Sequence, residues 1–215
     1  MTSRRGFLKG VTGALLSGGI RMSIPATALL TGASIPALAM ADETDYAPDP
    51  SRYGSRLDAL VRYIDPTLMI HNPHTNEDIH VRFFGPSGYD MGGVQQINHI
   101  WRDWRQESSP QIDPRLFWAM AAVRTSAMKD GHSGKVILLS GYRTLATTRL
   151  LRSQGVKAAL SSQHMNAAAM DITMEGIPAD TIAGFVEWLG VGGTGYYPRN
   201  NFTHADSGPV RQWRG

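Results

Sequence analysis

Residues 161–174 read Ser-Ser-Gln-His-Met-Asn-Ala-Ala-Ala-Met-Asp-Ile-Thr-Met, and this stretch decides the fold. The apolar run from Met170 to Met174 predicts a buried central β-strand. Asp171 lies inside that run, between Met170 and Ile172. A carboxylate in such a strand costs free energy unless a cation or another partner compensates it. The position of Asp171 therefore indicates a metal site.

His164, Asp171 and His204 form the candidate site. Zinc prefers imidazole nitrogen and carboxylate oxygen in a tetrahedral arrangement, and a catalytic site leaves the fourth position for water. The three residues meet that count. Their spacing alone is weak evidence, because a histidine and an aspartate this close together occur by chance in many proteins. The apolar surroundings of Asp171 supply the stronger argument.

Outward from this stretch, the apolar pattern predicts strands and helices without a regular alternation. Expected strands form an early hairpin, two central runs and a C-terminal pair, at 67–71, 78–84, 136–140, 170–174, 195–197 and 202–205. Expected helices span 56–63, 92–106, a stretch opening at Asp113-Pro114, 147–152 and 179–189. This order predicts an α+β fold, a single domain with a small, mainly antiparallel sheet packed by helices.

The N-terminus carries a second signal. Ser3-Arg4-Arg5-Gly6-Phe7-Leu8-Lys9 precedes an apolar stretch at 11–20, and no acidic residue occurs before Asp42. This pattern is typical of a twin-arginine export signal, with a disordered basic tail as the alternative. The stretch is shorter than the roughly 20 apolar residues of a spanning helix, so we expect no stable membrane anchor. We predict a signal peptide at 1–40, a linker with a helix at 41–64, a domain at 65–215, and a periplasmic or extracytoplasmic location.

The net charge and the cysteine content limit the classes of function and the sources of stability that the chain can have. The chain has a formal charge of +3, but four of its 21 basic residues and none of its 18 acidic residues fall in the predicted signal. The remainder has 17 basic and 18 acidic residues, a charge of −1, without a basic run, so we predict no nucleic-acid binding. Cysteine is absent, so stability must come from the core and from metal rather than from disulfides.

Several motifs carry a resemblance to a known family. They lie at 72–77 (Asn-Pro-His-Thr-Asn-Glu), Asn98, Arg102-Asp103, Arg105, 140–144 (Ser-Gly-Tyr-Arg-Thr), 161–164, 169–171, 175–177, 192–198 and 201–209. The chain resembles the zinc peptidases of the D-alanyl-D-alanine carboxypeptidase and dipeptidase group, which share a fold with the Hedgehog signalling domain. Within that group it is similar to the murein endopeptidases of the M15 family, once catalogued as a domain of unknown function (DUF882). The resemblance spans about residues 65–213.

The resemblance implies one zinc ion per chain, held by His164, Asp171 and His204, whose bound water attacks peptide bonds in the cross-linked stem peptides of peptidoglycan. Arg143 matches an arginine that holds a substrate carboxylate or the developing oxyanion. Ser162 matches a position that contacts substrate or braces a ligand. Alternatives from the residues themselves are a surface salt bridge for Arg143 and a turn cap for Ser162.

The glycine-rich segment 192–198 contributes one more candidate. Tyr196, with its neighbour Tyr197, is expected to line the substrate cleft beside Gly195, or to close a tight turn. The expected partners are stem peptides and the twin-arginine export machinery, and the chain is expected to act as a monomer.

Two departures from the family pattern bear on mechanism. Ala167 stands where the broader group often has glycine, and Asn201 stands where many relatives have the glutamate that takes the proton from zinc-bound water. Neutral asparagine cannot accept that proton at ordinary pH. Asp206 is the candidate replacement base, with the alternative that it orients a ligand imidazole.

The resemblance therefore predicts an exported zinc-dependent murein endopeptidase. A noncatalytic peptidoglycan-binding or signalling protein of the same fold is the alternative that Asn201 allows. A D,D- or L,D-carboxypeptidase that trims stem peptides is a further alternative.

Overall fold

The computed structural model describes residues 54–156 and 158–215. The predicted signal peptide at 1–40 and residues 41–53 of the predicted linker lie outside the described residues. In this part of the chain, no helix has the length and apolar composition needed to cross a bilayer.

Five α-helices and nine β-strands follow one another in the described chain. The helices are α1 (Arg56–Leu60), α2 (Met91–Ile100), α3 (Pro114–Lys129), α4 (Leu145–Ser153) and α5 (Ala179–Leu189), with short 3₁₀ helices at Val61–Tyr63 and Gln163–Asn166. The strands are β1 (Thr67–Asn72), β2 (Glu77–Arg82), β3 (Phe84–Gly85), β4 (Gly88–Tyr89), β5 (Val136–Ser140), β6 (Ala169–Thr173), β7 (Gly193–Tyr197), β8 (Phe202–Asp206) and β9 (Arg211–Arg214).

Seven of the strands form one sheet in the order β2-β1-β5-β6-β8-β7-β9, and β3 pairs with β4 separately. The β1/β5 and β7/β9 pairs are parallel, and the other pairs in the large sheet are antiparallel. A mixed structure of helices on a mainly antiparallel sheet is therefore confirmed. The central position of the β6 strand, predicted from its continuous apolar run, is confirmed as well.

Helix α3 forms the centre of the core. Asp113 caps its N-terminus by accepting a hydrogen bond from the Arg115 N–H, and Pro114 occupies the first helical position, where its missing N–H costs nothing. Phe117 of this helix packs edge-on against Phe83 and at a tilt against Trp101. These large side chains are fully buried, which explains how a chain without cysteine is stabilised.

The prediction of a helix over 92–106 is wrong at its C-terminal end, because α2 stops at Ile100. The chain turns there because the carboxylate of Asp103 accepts a hydrogen bond from the Arg105 N–H, and Asp103 forms a bridge with Ser108. Such a side chain offers the backbone an alternative to helical hydrogen bonds. The resulting turn at 101–108 lies beside the end of β5, where the Tyr142 N–H donates to the Trp101 carbonyl.

Candidate metal centre

The three predicted ligands come from neighbouring elements of the sheet. Asp171 on β6 lies directly opposite His204 on β8 in the antiparallel register, and His164 belongs to the 3₁₀ helix just before β6. One ligand atom from each lies within 4.8 Å of the other two, and this is the one group of its kind in the described ranges 54–156 and 158–215. The structure thus brings together residues that are separated in sequence.

The distances within the group are short. His204 Nδ1 lies 2.8 Å from Asp171 Oδ1, and His164 Nε2 lies 3.2 Å from Asp171 Oδ2. The two imidazoles approach each other through His164 Nε2 and His204 Nδ1, at 3.2 Å. Two nitrogen donors and one carboxylate in a compact group match the ligand set that zinc takes in catalytic sites.

The outer nitrogen of each imidazole has its own partner. His164 Nδ1 lies 2.6 Å from the Gly141 carbonyl oxygen, which can only accept a hydrogen bond, so this nitrogen carries the proton. His204 Nε2 lies 3.0 Å from Asp206 Oδ2 and donates to that carboxylate. In neutral histidines the inward nitrogens then hold lone pairs. Two lone pairs and the Asp171 carboxylate converge without a proton among them, and this arrangement fits a metal cation.

The electrostatics of the two histidines differ. Burial lowers the pKa of His164, although the charge of Asp171 opposes that effect, so this imidazole stays neutral as a ligand must. Burial also disfavours the charged form of His204, but hydrogen bonds to Asp171 and Asp206 outweigh it and raise the pKa of His204. The same histidines hold the pKa of the Asp171 carboxyl well below its usual range, against the effect of burial. The carboxylates of Asp171 and Asp206 therefore favour a positive charge beside His204, whereas burial opposes it.

Asp206 lies behind His204, on the side of the ring away from the ligand group. It is fully buried and accepts hydrogen bonds from the backbone N–H groups of Gly193 (3.0 Å) and Gly208 (2.9 Å) and from Arg211 (2.7 Å). Burial opposes ionisation, yet the hydrogen bonds from His204 and Arg211 lower the pKa of Asp206 to about 2. Of the two predicted roles, these contacts favour orientation of the imidazole over proton abstraction.

Asn201, which stands where many relatives have the glutamate, forms a hydrogen bond with the backbone of another element. It adopts a left-handed backbone with φ of 49°, between β7 and β8. Its side-chain oxygen accepts a hydrogen bond from the Ala179 N–H at the start of α5, at 3.3 Å. Ala167, the other departure, also has a left-handed φ of 55°, the conformation that glycine adopts without strain. The loop keeps its shape with alanine.

Arg143 follows the end of β5 and faces the ligand group. Its backbone N–H donates to the His164 carbonyl at 3.1 Å, and its terminal nitrogen lies 3.8 Å from Asp171 Oδ2. The side chain is largely buried, and burial lowers the pKa of the guanidinium while Asp171 opposes the shift. This buried environment differs from that of a surface salt bridge. It suits a guanidinium that donates a hydrogen bond to a substrate oxygen.

The other two predicted residues have local contacts. The hydroxyl of Ser162 accepts from the His164 N–H at 3.3 Å, so Ser162 caps the 3₁₀ helix that carries this ligand. Tyr196 on β7 is half-buried and lies under the guanidinium of Arg214. Neither contact by itself shows a substrate-binding role.

Trp213 on β9 was missed by sequence reasoning. Its ring centroid lies 5.1 Å from that of His204, and its indole N–H donates to the Tyr197 hydroxyl at 2.9 Å. Gly195 makes this approach possible, since a Cβ at that position would come within 2.5 Å of the indole. Strand β9 is only four residues long, and two of them are arginines, so its sequence gives little strand signal.

Comparisons with known proteins agree on one family. A family model described as "Peptidoglycan L,D-endopeptidase MepK" matches residues 64–213, a range that includes every candidate site residue. The peptidoglycan L,D-endopeptidase MepK of Escherichia coli (strain K12) is 38% identical over 146 residues, which cover 68% of this chain and 79% of the relative. The probable peptidoglycan L,D-endopeptidase MepK of Haemophilus influenzae is 30% identical over 148 residues, which cover 69% and 78%. No solved structure gives a significant match.

Proposed function

This chain belongs to the M15 peptidase family of the peptidoglycan L,D-endopeptidase MepK, and from this premise we propose that it is a zinc-dependent murein endopeptidase that hydrolyses L,D cross-links between stem peptides. We also assign the sheet and its helices to the fold that DD-peptidases share with the Hedgehog domain. Family membership supports that assignment, together with the mainly antiparallel sheet.

One observation carries the proposal. The inward nitrogens of His164 and His204 and the carboxylate of Asp171 converge on one point, while Gly141 and Asp206 hold the protons of both imidazoles on the outside. Zinc bound by these three groups would polarise a peptide carbonyl and lower the pKa of a water molecule toward neutrality. The residues themselves fix the geometry in which this chemistry takes place.

Arg143 and Asp206 have separate roles in the proposed reaction. The guanidinium of Arg143 lies beside the ligand group in a largely buried position, where a hydrogen bond to the carbonyl oxygen strengthens as negative charge develops. Asp206, fixed by Arg211 and two backbone N–H groups, holds the tautomer of His204 that presents Nδ1 to the cation. Ser162 is proposed to brace His164 from the 3₁₀ helix, and Tyr196 to line the cleft.

The absence of a glutamate at position 201 favours a second candidate, a noncatalytic peptidoglycan-binding protein that retains the metal. The side chain of Asn201 is neutral and accepts a hydrogen bond from the Ala179 N–H at the start of α5, so it does not supply a base. Both candidate functions include a bound metal ion, but only the endopeptidase would hydrolyse the cross-links.

The test incubates the mature protein with intact peptidoglycan sacculi, with added zinc or with a chelator, and identifies the released fragments by mass spectrometry. The proposal expects zinc-dependent conversion of L,D-cross-linked dimers to monomers, and none with Asp171→Ala. Intact dimers in the presence of protein with one bound zinc would support the binding protein. Release of single terminal amino acids from uncross-linked stems would instead identify a carboxypeptidase.

Export by the twin-arginine pathway to the periplasm or another extracytoplasmic location belongs to the same proposal, because peptidoglycan lies outside the cytoplasm. Its support is the sequence Arg4-Arg5-Gly6-Phe7-Leu8-Lys9. Replacing both arginines with lysine keeps the charge, and the full chain should then accumulate in the cytoplasmic fraction. Undiminished export of that variant would rule this route out.

A further inference from the structure

A row of residues crosses four strands of the sheet at the metal centre. Asp171 on β6 lies opposite His204 on β8. Gly195 on β7 lies opposite both His204 and Trp213, the latter on β9. Residues directly opposite each other on neighbouring strands project to the same face of a sheet. The indole of Trp213 therefore lies on the face that carries Asp171 and His204.

Gly195 allows the indole to reach the imidazole. Neighbouring strands lie about 4.8 Å apart, so β8 and β9, with β7 between them, are separated by roughly 10 Å. The ring centroids of His204 and Trp213 are nevertheless only 5.1 Å apart. A Cβ at position 195 would meet the indole first, with the nearest ring atom at 2.5 Å. The indole thus occupies the space that a side chain of β7 would otherwise fill.

Gly193 has the same function two residues earlier on β7. It lies opposite Arg211 on β9, and a Cβ at position 193 would come within 2.5 Å of both the Arg211 guanidinium and the Asp206 carboxylate. Side chains alternate along a strand, so positions 193 and 195 share one face. These two glycines let Arg211 and Trp213 contact residues of β8 across β7.

The indole is itself held on other sides. Its N–H donates to the Tyr197 hydroxyl at 2.9 Å, and the Cζ atom of Arg211 lies 5.0 Å from the ring centroid. The same guanidinium donates to Asp206 at 2.7 Å, and Asp206 accepts from His204 at 3.0 Å. Contacts therefore run in a closed loop from the imidazole through the carboxylate, the guanidinium and the indole back to the imidazole.

We propose that Trp213 is a positioning residue, which holds His204 in the rotamer that presents Nδ1 to the cation and thereby raises the affinity of the site for zinc. The inference rests on the zinc site of the proposed function. Hydrogen bonds at the two ring nitrogens act in the plane of the imidazole, whereas the indole, inclined to it by 51°, packs against the ring. A ligand that is oriented before the metal arrives loses less conformational entropy on binding.

The first test measures zinc affinity by competition with a chelator. Trp213→Ala should bind zinc about 10- to 100-fold more weakly, the loss typical of residues that orient a metal ligand. Trp213→Phe should lose less, because an aromatic ring still packs on the imidazole. Trp188→Ala is the matched control, since Trp188 is also half-buried, stacks on Phe185 and lies under the guanidinium of Arg56. The control should bind zinc as the wild type does.

A second substitution tests the path through the indole. Gly195→Ala should weaken zinc binding in the wild-type background, because the new Cβ displaces the indole. In the Trp213→Ala background the same change should cost little more, since the group that it displaces is gone. An equal loss in both backgrounds, or unaltered zinc affinity of Gly195→Ala itself, would overturn the inference. The single variant keeps the test decisive where Trp213→Ala does not fold.

A measurement on metal-free protein separates this inference from the proposed function. The three-bond couplings from the backbone nitrogen and carbonyl carbon to Cγ of His204, measured by NMR, report its χ1 rotamer. We expect one rotamer in the wild type and averaging in Trp213→Ala. Failure of the wild type to bind zinc would contradict the proposed function, and these couplings would still decide the role of Trp213. A single retained rotamer, or wild-type zinc affinity, in folded Trp213→Ala would overturn the inference.

Discussion

At the scale of single residues, His204 explains why Asp206 is poorly placed to act as a base. Its Nδ1 faces Asp171 and His164, and its Nε2 donates to Asp206, so the imidazole stands between this carboxylate and the ligand group. Asp206 also has Arg211 and two backbone N–H groups as partners. A carboxylate with all these contacts positions a ligand well and accepts a further proton poorly.

Asp206→Asn tests this assignment. The amide loses the charge that pairs with Arg211 and weakens the hold on the His204 tautomer, so zinc affinity should fall about 10- to 100-fold. Turnover at saturating zinc should change far less than the ~10²–10⁴-fold loss expected on removing a general base. Zinc affinity is measured by competition with a chelator, and turnover on cross-linked peptides.

The matched control is Asp78→Asn, because Asp78 also pairs with a histidine and a cation, His71 and Lys135, but lies on the exposed face of β2. It should leave both zinc affinity and turnover unchanged. Unaltered zinc affinity of Asp206→Asn, with turnover reduced by two or more orders of magnitude at saturating zinc, would return the role of base to Asp206.

The sequence indicated Asp171 as a candidate ligand because a carboxylate in an apolar strand is unusual. Which ring nitrogen of each histidine faces the cation could not be predicted, because that choice depends on Gly141, from another strand end, and on the rotamer of His204. The stack of His74, Trp104 and Arg105 could not be predicted from local sequence patterns either, because it joins the β1–β2 hairpin to the turn after α2.

At the scale of elements, the junction after β5 supports the metal centre. Gly141 packs against Trp101 so closely that an added Cβ would come within 2.3 Å of its carbonyl oxygen. The carbonyl of the same glycine fixes the proton of His164. Packing of the turn and orientation of a ligand therefore depend on one backbone position.

Gly141→Ala should lower the free energy of unfolding by about 1–3 kcal/mol, because the backbone must shift to relieve the overlap. Zinc affinity should fall with it, because the shift moves the carbonyl that anchors His164. Gly184→Ala in α5 is the control, since its Cβ meets nothing within 4 Å and alanine favours the helix by up to about 1 kcal/mol. Urea denaturation checks both, and an unchanged stability of Gly141→Ala would contradict the packing argument.

The start of β2 is tied to the turn after α2 through Glu77 and Arg102. The carboxylate lies 2.8 Å from the guanidinium, whose side chain is buried. The hydrogen bond from Arg102 lowers the pKa of Glu77 from 4.5 to about 2, although burial opposes the shift. A lowered folded-state pKa stabilises the protein above pH 4.5, and this stabilisation is lost as the pH falls from 4.5 toward 2.

Glu77→Gln should therefore flatten the decline of the unfolding free energy over that pH window. It should also destabilise the protein at neutral pH, because the buried Arg102 loses one of its two carboxylate partners. The measurement is urea denaturation of chelator-treated protein at several pH values, which removes the effect of metal release. Glu107→Gln, at the more exposed partner of Arg102, should change the slope less. Identical slopes for wild type and Glu77→Gln would refute the assignment.

The boundaries of helices and strands could be predicted where a regular apolar pattern extends over the whole element. They were harder to predict where a side chain caps the backbone. The β1–β2 hairpin, β5, β6 and α5 follow their patterns closely. Helix α2 ends early because of Asp103, and β9 forms because β7 offers a parallel edge at Gly193–Tyr197, which the polar residues of β9 do not indicate.

At the scale of the whole molecule, the ligands lie where the structure is most constrained. Strands β6 and β8 are interior strands of the seven-stranded sheet, so Asp171 and His204 are held by pairing on both sides. Arg143 lies on the connection between β5 and α4. Candidate ligands on rigid strands, with a candidate substrate contact on a connection, are a common division in enzymes.

The family resemblance predicted more of the candidate site than any local pattern did. Motifs at 161–164, 169–171 and 201–209 indicated the candidate ligands together, whereas spacing alone left His164 and Asp171 as a weak pair. The contacts that complete the site, from Gly141, Trp213 and Arg211, arise from the tertiary packing of distant segments.

His164, Asp171 and His204 are proposed to hold one catalytic zinc ion. The most direct test titrates zinc into chelator-treated mature protein and measures bound metal and cleavage of cross-linked peptides in the same samples. Cleavage should rise in proportion to bound zinc and level off at one ion per chain, with neither binding nor cleavage in Asp171→Ala that remains folded. Full activity after complete metal removal, or stoichiometric zinc retained by folded Asp171→Ala, would contradict the account.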